Sequence, residues 1–253
     1  MDNNKIALIT GGSRGLGKDM AFNLAKRGTD VIFTYNNRKD EAQEVVRQLE
    51  NLGVKAATLQ LDVADSKKFS SFINEVQALL KNTFEARHID FLINNAGVGH
   101  HKPFAETTEE DFDNMVNIHL KATYFLTQKA LPILEDGGAI INLSSGLARF
   151  STPGHSAYAS MKGGIETLTR YMAKELGNRQ IRVNTVAPGA IETDFGGGAV
   201  RDNAEMNAMI ASGTALGRVG KADDIGSVVA FLCSDEAKWI NGQRIEISGG
   251  VFL

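Results

Sequence analysis

The chain has one cysteine, one tryptophan and four prolines among its 253 residues, and each scarcity removes a class of protein. With only Cys233 present no disulfide can form within the chain, and its setting, Val228-Val-Ala-Phe-Leu-Cys233, predicts a buried helical thiol. No proline- or serine-rich linker, charge block or internal repeat divides the sequence, so residues 1–253 are expected to form a single domain. No apolar run is long enough to span a bilayer. Met1-Asp-Asn-Asn-Lys5 leads straight into the first predicted strand without a signal-peptide pattern, so a cytoplasmic location with no membrane partner is expected. Excess positive charge is also missing: 27 Lys+Arg against 30 Asp+Glu leave a net charge of -3, which argues against nucleic acid as a partner. Metal-ligand spacings are absent too. Adjacent side chains such as His100-His101 rarely aim at one ion, no carboxylate or cysteine cluster supports the pair, and no metal is expected.

What the chain does have is alternation. Apolar runs near 5–10, 30–35, 55–61, 89–94, 138–144, 180–186 and 243–247 predict strands, and helical periodicity predicts helices near 15–28, 38–52, 66–86, 108–131, 157–177 and 222–234. Repeated βα units imply an α/β fold: a doubly wound parallel sheet of about seven strands between two helical layers. Ligands in such folds bind beyond the carboxyl ends of the strands. The distinctive segments fall at those ends: Asp62-Val63, Asn94-Asn-Ala-Gly97, Ser144-Ser145 and Pro188-Gly189.

Strand one runs into Gly11-Gly-Ser-Arg-Gly-Leu-Gly17 and then a helix. Glycines let backbone approach a pyrophosphate, and the free N–H groups at the helix start favour its charge. The end of the second strand, Tyr35-Asn36-Asn37-Arg38, lacks the carboxylate that binds the ribose 2′-hydroxyl of NAD. Arg14, with Asn36 and Arg38, offers charge-assisted donors to a 2′-phosphate instead, so NADP(H) is preferred and NAD(H) remains possible.

Tyr158 and Lys162 stand four residues apart, on one face of a predicted helix. A free tyrosine titrates near ~10, and a neighbouring cation is expected to lower it into a range useful for proton transfer. Ser145, thirteen residues before Tyr158 at the end of an apolar run, brings a hydroxyl to the same edge. A proton donor, a tuning cation and an oxygen-orienting hydroxyl suit carbonyl reduction or alcohol oxidation.

Taken in order along nearly the whole chain, Thr10-Gly-Gly-Ser-Arg-Gly-Leu-Gly17, Asp62-Val63, Asn94-Asn-Ala-Gly97, Asn117, Ser145, Tyr158-x-x-x-Lys162 and Pro188-Gly-Ala-Ile-Glu-Thr193 resemble the motif set of the short-chain dehydrogenase/reductases. The resemblance is to the branch that includes the 3-oxoacyl-carrier-protein reductases, and it implies a Rossmann-type fold. It also implies roles. Tyr158 would be the acid/base, Lys162 its tuning cation and a ligand of the nicotinamide ribose, and Ser145 the holder of the substrate oxygen; Asn117 would anchor a water linking Lys162 to solvent. Gly11, Ser13, Arg14, Gly15 and Leu16 would surround the phosphates and Gly17 would let the helix pack closely. Asp62 and Val63 would meet the adenine, Asn94, Ala96 and Gly97 the ribose side, and Pro188, Gly189, Ile191 and Thr193 the nicotinamide end.

The segment Glu192 to about Ala215 is the expected substrate lid, with Gly196-Gly-Gly198 as hinge and Phe195, Met206, Met209 and Ile210 as an apolar wall. Val98 to Phe104, Gly146 to Phe150 and His155 should form the other walls. An acidic carrier protein needs basic residues at the pocket mouth; Arg179 could serve, but Glu135-Asp136-Gly-Gly138 is acidic where the carrier-protein reductases tend to be basic. A small or medium ketone or aldehyde is therefore preferred as substrate. A carrier-protein reductase, a sugar or alcohol dehydrogenase working oxidatively and a non-catalytic NADP-sensing regulator remain as alternatives. The resemblance also implies a homotetramer, with Ala122, Tyr124, Phe125, Ala130, Leu168 and Met172 available either to an interface or to the subunit's own sheet.

Overall fold

Short runs of Ile, Leu, Val and Phe with no polar alternation can only be satisfied in a sheet covered on both faces. β1 (Ile6–Ile9) and β2 (Asp30–Tyr35) are buried along their whole length. With β3 (Ala56–Gln60), β4 (Ile89–Asn94), β5 (Leu134–Leu143), β6 (Arg182–Pro188) and β7 (Arg244–Ile247) they form one sheet in the order β3-β2-β1-β4-β5-β6-β7, every neighbouring pair parallel. The computed structural model describes residues 4–253; Met1, Asp2 and Asn3, which begin the lead-in to β1, lie outside the described residues.

The helices are α1 (Gly15–Ala25), α2 (Lys39–Glu50), α3 (Phe69–Leu79), α4 (Glu109–Met115), α5 (Ala122–Ala130), α6 (Ser156–Glu175), α7 (Ala199–Asp202), α8 (Ala204–Ser212) and α9 (Asp223–Leu232). Residues of α1, α2 and α9 pack with Ala7, Ile9, Val31, Phe33 and Phe91 on one face of the sheet. Residues of α3, α5 and α6 pack with Leu8, Ile32, Leu92 and Ile140 on the other. The three layers and the seven parallel strands match the expected architecture. Strand order reverses between β1 and β4, and the crevice opens there, at their carboxyl ends.

Two local features differ from the sequence expectation. β5 begins at Leu134, ahead of the predicted turn, because Leu134 already pairs with Ile89; the register then shifts before Phe91 meets Ala139. Glu135-Asp136-Gly137-Gly138 is an excursion inside a strand, with Gly137 at φ +80°. The segment expected as a lid carries two helices where a loop was expected. Its residues 204–212 are rich in Ala and Met, and the Asn203 side chain caps them by accepting from the Met206 N–H. A wide turn of π-helical geometry, Val116–Lys121, joins α4 to α5; a second, Leu80–Phe84, takes up the extra length before β4.

A polar seam crosses the apolar interior beneath the crevice. Asn94 Nδ2 donates to Asn142 Oδ1 at 2.8 Å and to Thr127 Oγ1 at 2.9 Å, and Asn142 Nδ2 donates to Thr169 Oγ1 at 2.9 Å. The seam ties β4 and β5 to α5 and α6. Asn142→Ala orphans groups on both sides and is expected to cost about 2–4 kcal/mol, from ~1–3 kcal/mol for each buried group left unpaired. Urea unfolding with an unchanged m-value would measure it.

Among the described residues no helix is long and apolar enough to cross a membrane, and no group of three metal-capable side chains occurs. Cys233 is buried as expected, and burial pushes its thiol up to about 12.

Candidate active site

The glycine loop is held to its neighbours by its own backbone. Gly11 N–H donates to Thr34 Oγ1 at 3.0 Å and Gly12 N–H to the Thr34 carbonyl at 2.9 Å. Asn95 Nδ2 binds the carbonyls of Thr10 and Gly11 at 2.8 and 3.0 Å, so the turn after β4 pins the loop from the other side. A Cβ on Gly17 would stand 2.2 Å from the Gly11 carbonyl oxygen, which explains the glycine there by close packing. Gly15, at φ +53°, faces open space bounded only by the Thr193 side chain at 3.7 Å.

That open space suits the pyrophosphate of a dinucleotide. Arg14, which precedes α1, caps it with no side-chain bond, and the first turn holds no acidic residue. The first amides of α1 are therefore free for an anion, and the helix dipole favours one. A cavity of about 530 Å³ lies beside the loop, lined by Ser13, Arg14, Gly15, Lys18 and, from α2, Asp40, Glu41, Glu44 and Val45. Lys18 is a cation the sequence reading missed, one helical turn after Arg14. Arg14 meets Asp194 at 3.5 Å and Arg38 meets Glu41 at 2.9 Å, both exposed pairs. Asn36 is exposed nearby, its carbonyl accepting from Gln60 Nε2 at 2.8 Å.

The remaining expected cofactor residues lie at or just after the carboxyl ends of β3, β4 and β6. Asp62 is exposed after β3, its carboxylate accepting from the Ala64 N–H at 2.9 Å, with Val63 half-buried beside it. The Asn94 side chain is spent in the buried seam, leaving only its backbone to a ligand. Ala96 packs against Gly11, whose Cβ would lie 3.1 Å from the Ala96 Cα. Gly189 N–H donates to the Ile247 carbonyl at 2.9 Å, and Ile191 bridges to Gly220. Pro188 ends β6 at this edge.

Ser145, Tyr158 and Lys162 converge where β5 meets α6. Ser145 is extended, and its Oγ accepts from the Leu147 N–H at 3.2 Å. Tyr158 and Lys162 are 7% and 5% exposed, so both pKa values are governed by desolvation. Burial pushes the Tyr158 phenol up to about 12, against the opposing pull of a hydrogen bond to the Ser145 hydroxyl. Burial pushes Lys162 down to about 7. The expected lowering of the phenol by the lysine is therefore overridden by the desolvation of both groups. Lys162 Nζ lies 5.5 Å from the Tyr158 ring centroid and donates to the Leu143 carbonyl at 2.7 Å. The four-residue spacing put both groups on one face, but spacing does not report the loss of solvent.

Asn117 does not reach this site. Its side-chain carbonyl accepts from Lys121 Nζ at 3.4 Å on the exposed side of the helix. The side chain facing Tyr158 is His119, 2% exposed, its ring edge-on to the phenol at 5.1 Å and 88°. A signal for it was present: Met115, His119, Ala122, Leu126 and Ala130 recur at helical spacing as one buried stripe, and Asn117 falls off it.

Phe195 of the lid lies 6.0 Å from the Tyr158 ring, and Gly196, Gly197 and Gly198 all hold positive φ. His155 Nδ1 bonds the His100 carbonyl at 3.1 Å and packs edge-on against His101. The C-terminus joins in unexpectedly: Arg149 grips Glu246 through two bonds and also binds the Val251 carbonyl at 2.7 Å, while Phe150 packs on Phe252. Arg179 is occupied by Asp136 at 2.6 Å and by the carbonyls of Leu131 and Leu134.

Comparison with known proteins agrees with this geometry. A family profile described as Enoyl-(Acyl carrier protein) reductase matches residues 11–252. A hydroxynaphthalene reductase-like protein of Metarhizium brunneum is 37% identical over 97% of this chain and 94% of its own. A 3-oxoacyl-[acyl-carrier-protein] reductase of Staphylococcus aureus is 36% identical over 100% of both chains. The crystal structure of the angucycline C-6 ketoreductase LanV with bound NADP superimposes with a TM-score of 0.93 at 36% identity, covering 98% of this chain and 95% of that one. Fold, motif order and full-length similarity agree: the chain belongs to the short-chain dehydrogenase/reductase family, oxidoreductases that act on CH–OH groups with NAD(P).

Proposed function

We propose that the protein uses NADP(H) to reduce a small or medium ketone or aldehyde to its alcohol. The observation that carries this reading is the half-buried Ser145 hydroxyl beside the buried Tyr158 phenol, near Phe195. Ser145 holds the carbonyl oxygen and stabilises the charge growing on it. Tyr158 gives that oxygen its proton as the reduced nicotinamide, when bound, supplies hydride to the carbon. Lys162, 5.5 Å from the Tyr158 ring centroid, stabilises the phenolate left behind. The lid and the aromatic walls exclude water. Residues 1–253 act as one catalytic and cofactor-binding unit, with 192–215 as its lid.

The ketoreductase likeness supports a free carbonyl compound as substrate. Arg179, the base available for a carrier protein, is engaged at Asp136 and so is not presented to an acidic partner. A panel of ketones, aldehydes, sugars and acyl thioesters, followed at the nicotinamide absorbance, tests the assignment; turnover confined to acyl thioesters or to alcohol oxidation would overturn it.

Preference for NADP(H) rests on Arg14 and Lys18, which line the cavity beside the loop, and on Arg38 after a β2 end, Tyr35-Asn36-Asn37, that carries no carboxylate. Arg14→Ala is expected to raise the Kd for NADPH by ~10-fold, from ~1.5–3 kcal/mol for a hydrogen bond to a charged group less what Lys18 and Arg38 recover, while leaving NADH unchanged. Fluorescence titration measures both. The homotetramer is supported by Phe112, Tyr124, Phe125 and Tyr171, large side chains of α4, α5 and α6 left exposed, whereas Ala122 and Ala130 are buried in the subunit. Light scattering should return the mass of four chains.

A further inference from the structure

Two arginines and two glutamates run as one chain of ion pairs beside the Ser145 loop. Arg149, just after Ser145 in sequence, meets both oxygens of Glu246 on β7, with Nε 2.8 Å from Oε2 and Nη2 2.7 Å from Oε1. Arg244, on the same side of β7, donates from Nη1 to Glu246 Oε2 at 2.7 Å and from Nε to Glu166 Oε1 of α6 at 2.6 Å. The Arg149 guanidinium, helped by Arg244 and the Ser248 hydroxyl, holds the Glu246 carboxyl down to about 2 against its burial. One end of the chain grips the dipeptide that carries the site's hydroxyl: Ser144 Oγ donates to Glu166 Oε1 at 2.7 Å, and Arg244 Nη2 reaches the Ser145 carbonyl at 3.3 Å. The other end grips the C-terminal tail, where Arg149 donates to the Val251 carbonyl at 2.7 Å and to the Phe252 carbonyl at 3.3 Å.

Stability alone does not account for this arrangement. The Glu166, Glu246 and Arg244 side chains are 15%, 20% and 22% exposed, and taking such charges out of water offsets much of what their pairing returns, so apolar residues of similar volume would serve the fold as well. What apolar side chains cannot supply is direction. The planar fork of Arg244 aims three N–H groups at acceptors on three segments, α6, β7 and the Ser145 loop. With the Ser144 hydroxyl turned to Glu166, the next residue of an extended chain turns its own to the opposite side, where Ser145 meets the Tyr158 phenol. The Leu147 N–H occupies Ser145 Oγ as an acceptor, so the hydroxyl's own hydrogen is left to donate.

We infer that Arg244 and Glu166 are positioning residues for carbonyl reduction: together they hold the Ser144–Ser145 peptide so that the Ser145 hydroxyl meets the substrate oxygen, and Arg149 with Glu246 braces them against the C-terminal tail. The inference rests on the reductase reading above. As hydride reaches the carbonyl carbon, negative charge grows on the oxygen, and a hydroxyl allowed to drift from that oxygen forfeits part of its stabilisation. The four charged residues act through Ser145 and take no part in the proton or hydride transfers.

Arg244→Lys keeps the charge, but one ammonium cannot span Glu166, Glu246 and the Ser145 carbonyl. It should lose about 10-fold in kcat, ~1.4 kcal/mol in the barrier, with KM for NADPH within about 2-fold of wild type. Glu166→Leu should lose a similar factor, whereas Glu166→Gln, which keeps an oxygen for Ser144 and Arg244, should stay within about 3-fold of wild type. The discriminating measurement is a double-mutant cycle on kcat. In a Ser145→Ala background Arg244→Lys should cost less than about 2-fold, because the hydroxyl it positions is gone; a defect in folding alone would cost the same factor in either background. Wild-type kcat in Arg244→Lys, or equal losses in both backgrounds, would overturn the inference while leaving carbonyl reduction intact. If Arg244→Lys melts too far below the wild type to assay, the Glu166 pair decides, and equal kcat in the leucine and glutamine variants would refute the positioning role. Absence of reductase activity in the wild type would instead defeat the functional reading.

Discussion

Tyr158→Phe is expected to lower kcat by ~10²–10⁴-fold, the range that a positioned acid or base contributes. The substitution is clean because the hydroxyl supports little else. The ring stays wedged between His119 and Phe195, and Ser145 retains its bond from the Leu147 N–H. Folding stability should change by less than about 1 kcal/mol, since one exchanged hydrogen bond is all that is lost. NADPH affinity should hold within a few-fold, because the groups proposed to meet the phosphates are the α1 amides and Arg14, on a different element from Tyr158. Rapid-mixing kinetics on the best carbonyl substrate would separate hydride transfer from product release. A variant with wild-type turnover would remove the phenol from the reaction and with it the proposed mechanism.

The parts of this site legible in the sequence were those set by local chain geometry. The glycine turn after β1 reads directly because strand, turn and helix follow one another within about fifteen residues, as do Ser145 and the Tyr158–Lys162 pair. What failed depended on burial or on phase. Tyr158 was expected to be acidified by Lys162, yet the desolvation of both residues follows from α6 packing on β5 and β6, which no spacing reports. Asn117 was chosen for its residue type, although the apolar stripe of its own helix runs through His119. The lid was read as a glycine hinge because three glycines dominate it locally, while the short helices that follow depend on the Asn203 cap and on seating against Glu192, which accepts from Asn207 at 2.8 Å. Arg179 appeared free in the sequence because Asp136 reaches it only through an excursion within β5.

Lys162→Met should be inactive and, in acid, more stable than the wild type. Burial moves the lysine from 10.5 to about 7, so below pH 7 the folded state carries a charge it would shed if it could. The unfolded chain keeps its proton up to about 10.5, so between pH 7 and that value it binds more protons than the folded state, and wild-type stability rises with pH. Below pH 7 both states are protonated and the penalty is complete. At ~1.4 kcal/mol per unit the penalty is on the order of 5 kcal/mol. Methionine removes it but leaves the Leu143 carbonyl without its 2.7 Å donor, a loss of about 1–3 kcal/mol. A net gain of roughly 2 kcal/mol is expected at pH 6, falling toward zero and then reversing as pH approaches 10. Turnover should fall at least ~10²-fold, because a phenol held near 12 has no other cation to stabilise its phenolate. Thermal melts of the cofactor-free proteins at pH 6 and pH 9 would measure the first effect and steady-state kinetics the second. A Met variant less stable than wild type at pH 6 would mean that the lysine is at ease in its site; the fold would then be giving up no stability to hold a charge beside Tyr158.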